Sequence, residues 1–475
     1  MDQRARLVLR VLWVGIIVFY FWDLWGGSLR QWDEALTAER SREILATGDW
    51  LTPHFGFQPD FNKPPLYYWL TAITFKVFGI DEFSARLWSV LFGLGCMILV
   101  YRLANKTGSA PWSGLIALFL LATNSHWMNK TREGLLDSGM LFGMLAAIWF
   151  LSYGSQRARR GISAGVCLAI GTMVKGPVAL FALVVPLWNR FVARKEKCPL
   201  GKIAGALVVA AVLTLPWYAF QYAKYAAMFS SALVSRSTLT RFLTPIDSNT
   251  GGPLFFLLGW PRLAPVAFVL FVAPVVYFLS FDRKKMAAAS PFIFLTLLFF
   301  VAVSLSASKR DLYLVLLHPS AAIAAGVLLV EFQQSLKTRR LQSVAPVLLV
   351  VLALAGFVPF YVAKPDYAHH LKETGRKLKK VAKARDSIAA VEIPLNNLLF
   401  YSRKPVEYIR YSSLKDRYSV LVRDGHRTMF FVVKTKEVKR FSTLVDSLGA
   451  VSLRKKIVHK NRRFTIVAIQ AGGKI

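Results

Sequence analysis

The chain has 475 residues, of which 55% are hydrophobic, and its mean hydropathy is +0.43. Soluble domains rarely average so high, and the apolar residues form runs of about 20, the length of a membrane-crossing helix. The net charge of +34 is not accompanied by a nucleic-acid-binding motif, so it favours contact with anionic membrane lipids over nucleic acid.

The apolar runs predict an α-helical polytopic membrane protein, because backbone groups in lipid must form hydrogen bonds within the chain. About eleven transmembrane helices are expected, at residues 8–27, 83–104, 111–127, 135–153, 161–174, 176–192, 203–222, 263–281, 290–306, 311–331 and 342–363. With the N-terminus in the cytoplasm, every loop predicted to lie inside is basic, as the positive-inside rule requires. The C-terminus is then periplasmic.

The first outer loop, residues 28–82, contains two segments that are expected to be helical. The stretch "DEALTAERSREIL" predicts a helix with Asp33 near its N-terminus, where a carboxylate can cap the helix. The stretch 65–79 is short and aromatic, and it predicts a helix lying along the membrane interface. Tyr67 and Tyr68 in this stretch are candidates to line a substrate site.

The C-terminal residues, 364–475, predict a small soluble α/β domain separate from a membrane domain of 1–363. Strands are expected at "SIAAVEI", "MFFVVK" and "FTIVAIQ", and helices at "RKLKKVAKAR" and "VKRFSTLVDSLG".

Charged residues near the membrane collect on the predicted outer face: Asp33, Glu34, Lys63, Arg132, Glu133, Asp137, Lys175, Arg236, Arg241, Lys309, Arg310 and Asp311. Each has a plainer explanation, such as a helix cap for Asp33 or lipid contact for Arg241. Because charges at membrane depth are costly, the set together indicates an outward-opening active site. Carboxylates suit acid–base chemistry, and separate cations suit a phosphate.

The segment from "WDEALTAERSREIL" through "FNKPPLYYWL" to "FSARL" closely resembles the first outer loop of bacterial GT-C glycosyltransferases. It is most similar to the aminoarabinose lipid A transferase group, which is related to the protein O-mannosyltransferase (PMT) family. The motifs "EGLLDS", "VKGPVAL", "TRFLT" and "SKRDLYLVLLHP" follow in the expected order, although His318 and Pro319 stand where the family often has Tyr-Pro.

The resemblance implies a bundle of membrane helices in the bacterial inner membrane, with interfacial helices in the first outer loop. It also implies a polyprenyl-phosphate sugar donor, with undecaprenyl phosphate as the expected carrier, and lipid A or another envelope acceptor. No cofactor is required, although some GT-C enzymes use a divalent metal; this sequence offers no His or Cys ligand set. A monomer is expected.

The resemblance also matches individual residues, and from these we hypothesise inverting sugar transfer. The donor phosphate would be bound by Lys63, Lys175, Arg241 and Lys309 with Tyr313. Asp33 would act as general base toward a hydroxyl acceptor, or would only orient a phosphate acceptor. Glu34 and Asp137 would position the sugar or the lysines, and Tyr67, Tyr68 and Arg132 would line the site.

Three alternatives remain open. A transporter or flippase would place charges at the bilayer midplane and usually contains internal repeats, neither of which is evident. Protein O-mannosylation would use the same chemistry on a Ser or Thr hydroxyl. A hexose or hexosamine could also be the transferred sugar, with lipid A or another envelope glycan as acceptor.

Overall fold

A computed structural model describes residues 3–30, 32–108, 110, 112–153, 159–193, 199–235, 240, 243–244, 250–252, 254–263, 265–281, 287–336, 351, 366, 368–416, 428–447 and 453–471. The chain divides into two compact units. Unit 1 comprises Met1–Leu24, Phe61–Leu70 and Arg86–Ala363, and unit 2 comprises Trp25–Asp60, Thr71–Ala85 and Lys364–Ile475.

Helices account for most of the described residues. In chain order they are α1 (Gln3–Phe21), α2 (Asp33–Thr47), α3 (Leu66–Phe78), α4 (Glu82–Thr107), α5 (Trp112–Ala122), α6 (Ser125–Arg132), α7 (Asp137–Ile148), α8 (Arg159–Lys175), α9 (Val184–Phe191), α10 (Leu200–Ser235), α11 (Phe255–Leu263), α12 (Pro265–Phe281), α13 (Ser290–Leu305), α14 (His318–Ser335), α15 (His369–Val381), α16 (Leu395–Ser402) and α17 (Val438–Ser447). The strands are β1 (His54–Phe55), β2 (Gln58–Pro59), β3 (Ser387–Val391), β4 (Glu407–Ile409), β5 (Met429–Lys434), β6 (Leu453–Lys460) and β7 (Phe464–Ala471).

Two of the described helices, Glu82–Thr107 and Leu200–Leu233, are long and apolar enough to cross a membrane. A third candidate is the pair Ser125–Arg132 and Asp137–Tyr153, which is bent by 110°. Further described helices are apolar but shorter: Trp112–Ala122, Pro177–Phe191 and Ser290–Leu305. The count of eleven stays a prediction, and the predicted span 342–363 lies outside the described residues except for residue 351.

Small residues let α7 and α8 pack closely, which brings two of the predicted site residues together. A Cβ added to Gly143 would lie 2.6 Å from the backbone nitrogen of Gly171, so only glycine fits at this crossing. Close backbone approach through small residues is typical of helix packing in membranes. Because α7 begins at Asp137 and α8 ends at Lys175, these residues meet at the same end of the helix pair.

The C-terminal part of unit 2 contains a five-stranded sheet with the order β4-β3-β5-β7-β6. β3 pairs in parallel with β4 and β5, whereas β7 pairs in antiparallel fashion with β5 and β6. The strands expected at "SIAAVEI", "MFFVVK" and "FTIVAIQ" are present, and β4 and β6 are additional to them. The helix expected at "RKLKKVAKAR" is present only in part, because α15 ends at Val381.

Parts of the first outer loop belong to the same unit as the C-terminal residues. Leu29 and Phe75 share a buried hydrophobic cluster with Phe400 and Tyr401. The Tyr401 hydroxyl accepts a hydrogen bond from the Leu29 backbone N–H (2.8 Å) and donates one to Glu82 Oε1 (2.9 Å). The predicted boundary between 1–363 and 364–475 stays a prediction, but these contacts link the loop to the C-terminal residues.

Candidate active site

The two carboxylates at the start of α2, in unit 2, have different environments. Asp33 is the first residue of the helix, and Trp32 is the N-cap residue. The capping position is therefore occupied by Trp32 and not by Asp33. Glu34 is buried, and its Oε2 accepts a hydrogen bond from the Arg30 backbone N–H at 2.6 Å. Glu34 therefore stabilises the start of the helix, and the half-buried Asp33 is the better candidate for chemistry.

The backbone immediately before Asp33 is strained. Trp32 has φ 78° and ψ −118°, a conformation that side chains larger than glycine rarely adopt. Such outliers cluster at functional sites, where the surrounding structure holds them in place. The strain thus marks the entry to α2 as a candidate functional segment.

Arg40 and Asp60, which fix the first outer loop, were not identified from the sequence. Arg40 of α2 forms an ion pair with Asp60, and its Nε donates to Asp60 Oδ2 at 2.9 Å. Both side chains are buried. Because a buried charge needs a partner, this pair has a structural role in fixing the loop against the helix.

Glu43, one helical turn after Glu39, holds the β1–β2 turn. Its carboxylate accepts hydrogen bonds from the backbone N–H groups of Gly56 (2.8 Å) and Phe57 (2.9 Å). Burial, together with the neighbouring Glu39 carboxylate, raises the pKa of Glu43 to about 8. Arg42 binds both oxygens of Glu39, at 2.7 and 2.8 Å.

In unit 1, Asp137 and Lys175 form an ion pair between Oδ1 and Nζ. The Asp137 side chain is 5% exposed and the Lys175 side chain 21% exposed, so the ammonium group retains access to the surroundings. Gly176 follows Lys175 with φ 96°, which ends α8 and starts the 3₁₀ helix Pro177–Leu183. Both residues were candidate site residues on the basis of the sequence, but their ion pair was not predicted.

The loop that carries Lys63 packs beside the end of α8. Phe61 lies in a buried cluster with Met173, and Leu66 packs against the same cluster. Lys63 is half-buried and stands between these two anchored positions, two residues after Phe61. The packing therefore holds the Lys-Pro-Pro loop close to the segment that ends in Lys175.

The aromatic residues that follow Lys63 are not surface groups in this structure. Tyr67 and Tyr68 are both 0% exposed. A fully buried side chain is typical of core packing, so a role for these two residues in lining the substrate site stays a prediction.

Arg132 ends α6 and donates a hydrogen bond to the backbone carbonyl of Trp22. Two residues earlier, Lys130 lies 3.3 Å from Glu133 and 3.8 Å from Asp311, measured between nitrogen and oxygen. Lys130 was not among the predicted site residues, although "NKTREGLLDSG" contained the signal of a lysine beside two acids. These contacts join α6 to the segment that carries the late motif.

Lys309 and Tyr313 contact the same aromatic ring. Lys309 Nζ lies 5.7 Å from the centre of the Phe256 ring and donates to the Ser304 carbonyl oxygen. The Tyr313 and Phe256 ring centres are 6.5 Å apart. Burial lowers the pKa of Lys309, which is 6% exposed, and an anion bound beside it would offset that effect. Arg241, the remaining predicted phosphate-binding residue, lies outside the described residues.

A buried histidine pair also went unrecognised in the sequence. His126 Nδ1 and His318 Nε2 are 2.9 Å apart, and Asn124 Nδ2 lies 3.2 Å from His318 Nδ1. His318 is the residue at which the late motif departs from the family pattern. The pair joins the start of α14 to α6.

Across the described part of the chain, no group of three or more His, Cys, Asp or Glu side chains could hold a metal ion. Asp33 and Glu34 belong to unit 2, whereas Lys63, Asp137, Lys175, Lys309 and Tyr313 belong to unit 1. Within unit 1, Lys175 with its paired carboxylate, beside the Lys63 loop, is suited to binding a phosphate and stabilising charge that develops on it.

Comparison with known proteins connects this chemistry to a family. Residues 62–220 match the model of the dolichyl-phosphate-mannose-protein mannosyltransferase family. An undecaprenyl phosphate-alpha-4-amino-4-deoxy-L-arabinose arabinosyl transferase of Pseudomonas fluorescens is 27% identical over 389 residues, or 78% of this chain and 64% of that relative. The transferase of the same name from Edwardsiella ictaluri is 32% identical over 208 residues, or 42% of this chain and 38% of the relative.

The fold matches as well. The crystal structure of ArnT from Cupriavidus metallidurans bound to undecaprenyl phosphate has a TM-score of 0.77 against this chain, with 18% identity and 97% of each chain covered. The chain is therefore similar in sequence and in fold to the glycosyltransferases of this group. The resemblance to the aminoarabinose transferase and PMT group is confirmed, as is the multi-pass membrane fold. The number of spans and their orientation stay predictions.

Proposed function

We propose that this protein is a GT-C glycosyltransferase that moves a sugar from an undecaprenyl-phosphate donor to lipid A at the outer face of the inner membrane. The names of the two relatives support the donor. The observation that carries the proposal is the Lys175–Asp137 ion pair, which lies at the helix end beside the Lys63 loop. Both lysines fall within the range matched by the family model.

The phosphate of the donor is the leaving group, so negative charge grows on it as the glycosidic bond breaks. Lys63 and Lys175 bind this phosphate, and Lys309 and Arg241 complete the set of cations. Asp137 holds Lys175 in a fixed position, which removes the need to reorganise it during the reaction. Attack by the acceptor on the opposite side of the sugar carbon inverts its configuration.

Asp33 acts on the acceptor. For a hydroxyl acceptor, Asp33 removes the proton as general base. A phosphate group of lipid A is already anionic and needs no strong base, so in that case Asp33 orients the acceptor. Glu34 acts indirectly, because it stabilises the start of the helix that carries Asp33.

Protein O-mannosylation is the second candidate function, and the description of the matching family model favours it. The chemistry at the donor phosphate would be the same, and only the acceptor would differ. The inner-membrane location, the cytoplasmic N-terminus and the periplasmic C-terminal residues belong to the proposal and are supported by the basic loops.

The test is to measure sugar transfer in membranes that contain equal amounts of wild-type protein, Asp33→Asn or Lys63→Ala. Removing one group that stabilises the transition state should lower the rate by about 10²–10³-fold. Lys202→Ala is a suitable control, because Lys202 lies near the start of α10 and is not a proposed site residue. Near wild-type rates for both site variants would refute the assignment.

A further inference from the structure

Two adjoining cavities lie entirely within unit 2, outside the residues proposed for catalysis. Their volumes are about 640 Å³ and 360 Å³, and Phe55 and Leu395 line both of them. Shared walls make them two parts of one depression, which we call the Phe55 groove. The groove has a size that is typical of a ligand site.

The larger part of the groove carries cations. Lys383 and Lys404 line it together with Phe55. Two carboxylates, Asp386 and Glu407, also line it. Asp386 accepts a hydrogen bond from the Lys383 backbone N–H at 2.5 Å and so belongs to a local turn, and Glu407 is the first residue of the edge strand β4. Two lysines that line one cavity can bind a phosphate group.

The smaller part of the groove carries exposed aromatic rings. Trp32 is 54% exposed and Tyr408 is 47% exposed, and both line this part. Large apolar rings exposed next to polar groups are characteristic of ligand sites, where the rings give contact area and the polar groups give orientation. A sugar ring, with an apolar face and a polar rim, matches both features.

Asn396 is an independent indication that the groove binds a ligand. It lines the smaller part of the groove and is 6% exposed, and among the described residues its Nδ2 has no hydrogen-bond partner. Buried donors are nearly always paired, because an unpaired one loses its bond to water without replacement. Asn396 follows the carboxyl end of β3, the edge at which parallel sheets commonly bind ligands.

One lining residue of the groove adjoins the start of α2. Trp32, in its strained conformation, is the residue immediately before Asp33. A ligand that rests on Trp32 therefore contacts the residue that precedes Asp33, the residue proposed to act on the acceptor. A peptide ligand could instead bind by adding a strand to the edge of the sheet. The edge strand β4 has three residues, which is too short to pair well with such a peptide.

We propose that the Phe55 groove binds the phosphorylated oligosaccharide part of the acceptor, with its sugars on Trp32 and Tyr408 and its phosphate at Lys383 and Lys404. This inference rests on the proposed function, because it assumes that the acceptor is a glycan. It assigns the C-terminal residues a role in acceptor recognition that is separate from donor chemistry.

The experiment is a binding titration of the full-length protein in detergent. The probe is the phosphorylated oligosaccharide obtained by removing the acyl chains from lipopolysaccharide, and binding is followed by calorimetry. Tyr408→Ala, Lys404→Ala and the isosteric Asn396→Asp should each raise Kd at least about tenfold. Lys439→Ala, which changes an exposed lysine outside the groove, should leave Kd unchanged.

Treating the probe with phosphatase should weaken binding to the wild type and abolish the effect of Lys404→Ala. Unchanged Kd values in all three groove variants, or no binding by the wild type, would overturn the proposal. Competition by a Ser/Thr-rich peptide at the same site would also overturn it, in favour of a protein acceptor.

Transfer kinetics separate this inference from the proposed function. The groove variants should raise the KM for the acceptor while leaving kcat and the KM for the donor unchanged. If the wild type transfers sugar to lipid A and the groove variants have an unaltered KM for the acceptor, the proposed role of the groove is refuted. The proposed function is then unaffected. If the probe binds specifically but no sugar is transferred to lipid A, the proposed function is refuted. The proposal that the groove binds this oligosaccharide is then unaffected.

Discussion

Lys175 Nζ donates a hydrogen bond to Asp137 Oδ1, and this contact joins the last residue of α8 to the first residue of α7. The close packing of Gly143 on Gly171 holds the two helices at the distance that the contact requires. A cation is thereby fixed at a helix end, with part of its surface still accessible. This is the arrangement expected of a lysine that receives a phosphate.

Lys175→Met should lower kcat/KM by about 10²–10³-fold, because the cation that stabilises the developing phosphate charge is lost. Lys175→Arg should retain more activity than Lys175→Met, since the charge remains. The rates are measured with equal amounts of membrane-inserted protein. Equal activities of the Met and Arg variants would contradict a role for the charge.

Asp137→Asn should also reduce activity, but less than Lys175→Met, because the lysine keeps its charge and loses only its fixed position. The double variant should be about as impaired as Lys175→Met alone, since contacting residues are not additive. A double variant whose loss is the sum of the two single losses would show that the residues act independently.

Gly143→Val should disrupt the packing of α7 on α8. Its Cβ would approach the Gly171 backbone nitrogen to 2.6 Å, and overpacking of this kind costs about 1–3 kcal/mol. Gly205→Val is the matched control in α10, because no atom lies within 4 Å of an added Cβ there. The thermal midpoint in detergent should fall for Gly143→Val only; equal midpoints would contradict the close crossing.

Glu43 should make the stability of unit 2 depend on pH. Its folded pKa of about 8 exceeds its ordinary pKa of 4.5, so the folded state binds the proton more tightly than the unfolded state. The contribution of Glu43 to the free energy of unfolding is complete below pH 4.5 and is lost as the pH rises to about 8. Over this range the free energy of unfolding falls by at most about 1.4 kcal/mol per pH unit. Unfolding midpoints of the wild type and Glu43→Gln between pH 5 and pH 8.5 measure it. The unfolding midpoint of Glu43→Gln should fall less with rising pH than that of the wild type. An equal fall in both proteins would contradict the raised pKa of Glu43.

Tyr401→Phe should loosen the attachment of the first outer loop to the C-terminal residues. The change removes the acceptor of the buried Leu29 N–H, which costs about 1–3 kcal/mol. It also removes one donor to Glu82, which keeps its ion pair with Lys372. Limited proteolysis of the loop should be faster in the variant. Tyr408→Phe, at an exposed tyrosine of the same unit, should leave proteolysis unchanged.

Local patterns in the sequence predicted much of the fold. The helix at Asp33–Thr47 and the strands at Ser387–Val391, Met429–Lys434 and Phe464–Ala471 lie where amphipathic or β-branched runs indicated them. The short strand Glu407–Ile409 has too few residues for its period to be visible in the sequence.

Contacts between distant residues could not be predicted in this way. His126 and His318 are 192 positions apart, and Leu29 and Tyr401 are 372 positions apart. The sequence selected Lys175 and Asp137 one by one, because a charge beside an apolar run is unusual. It gave no measure of how the helices pack, so their pairing and the structural role of Glu34 emerged only from the structure.

The central claim, sugar transfer to lipid A, is tested most directly by mass spectrometry of lipid A from cells with and without the protein. Wild-type protein should add the mass of one sugar to lipid A, and cells that carry Lys63→Ala at the same protein level should lack most of that species. An unchanged lipid A mass in cells with active wild-type protein, with the sugar recovered on protein or on another glycan, would contradict the claim.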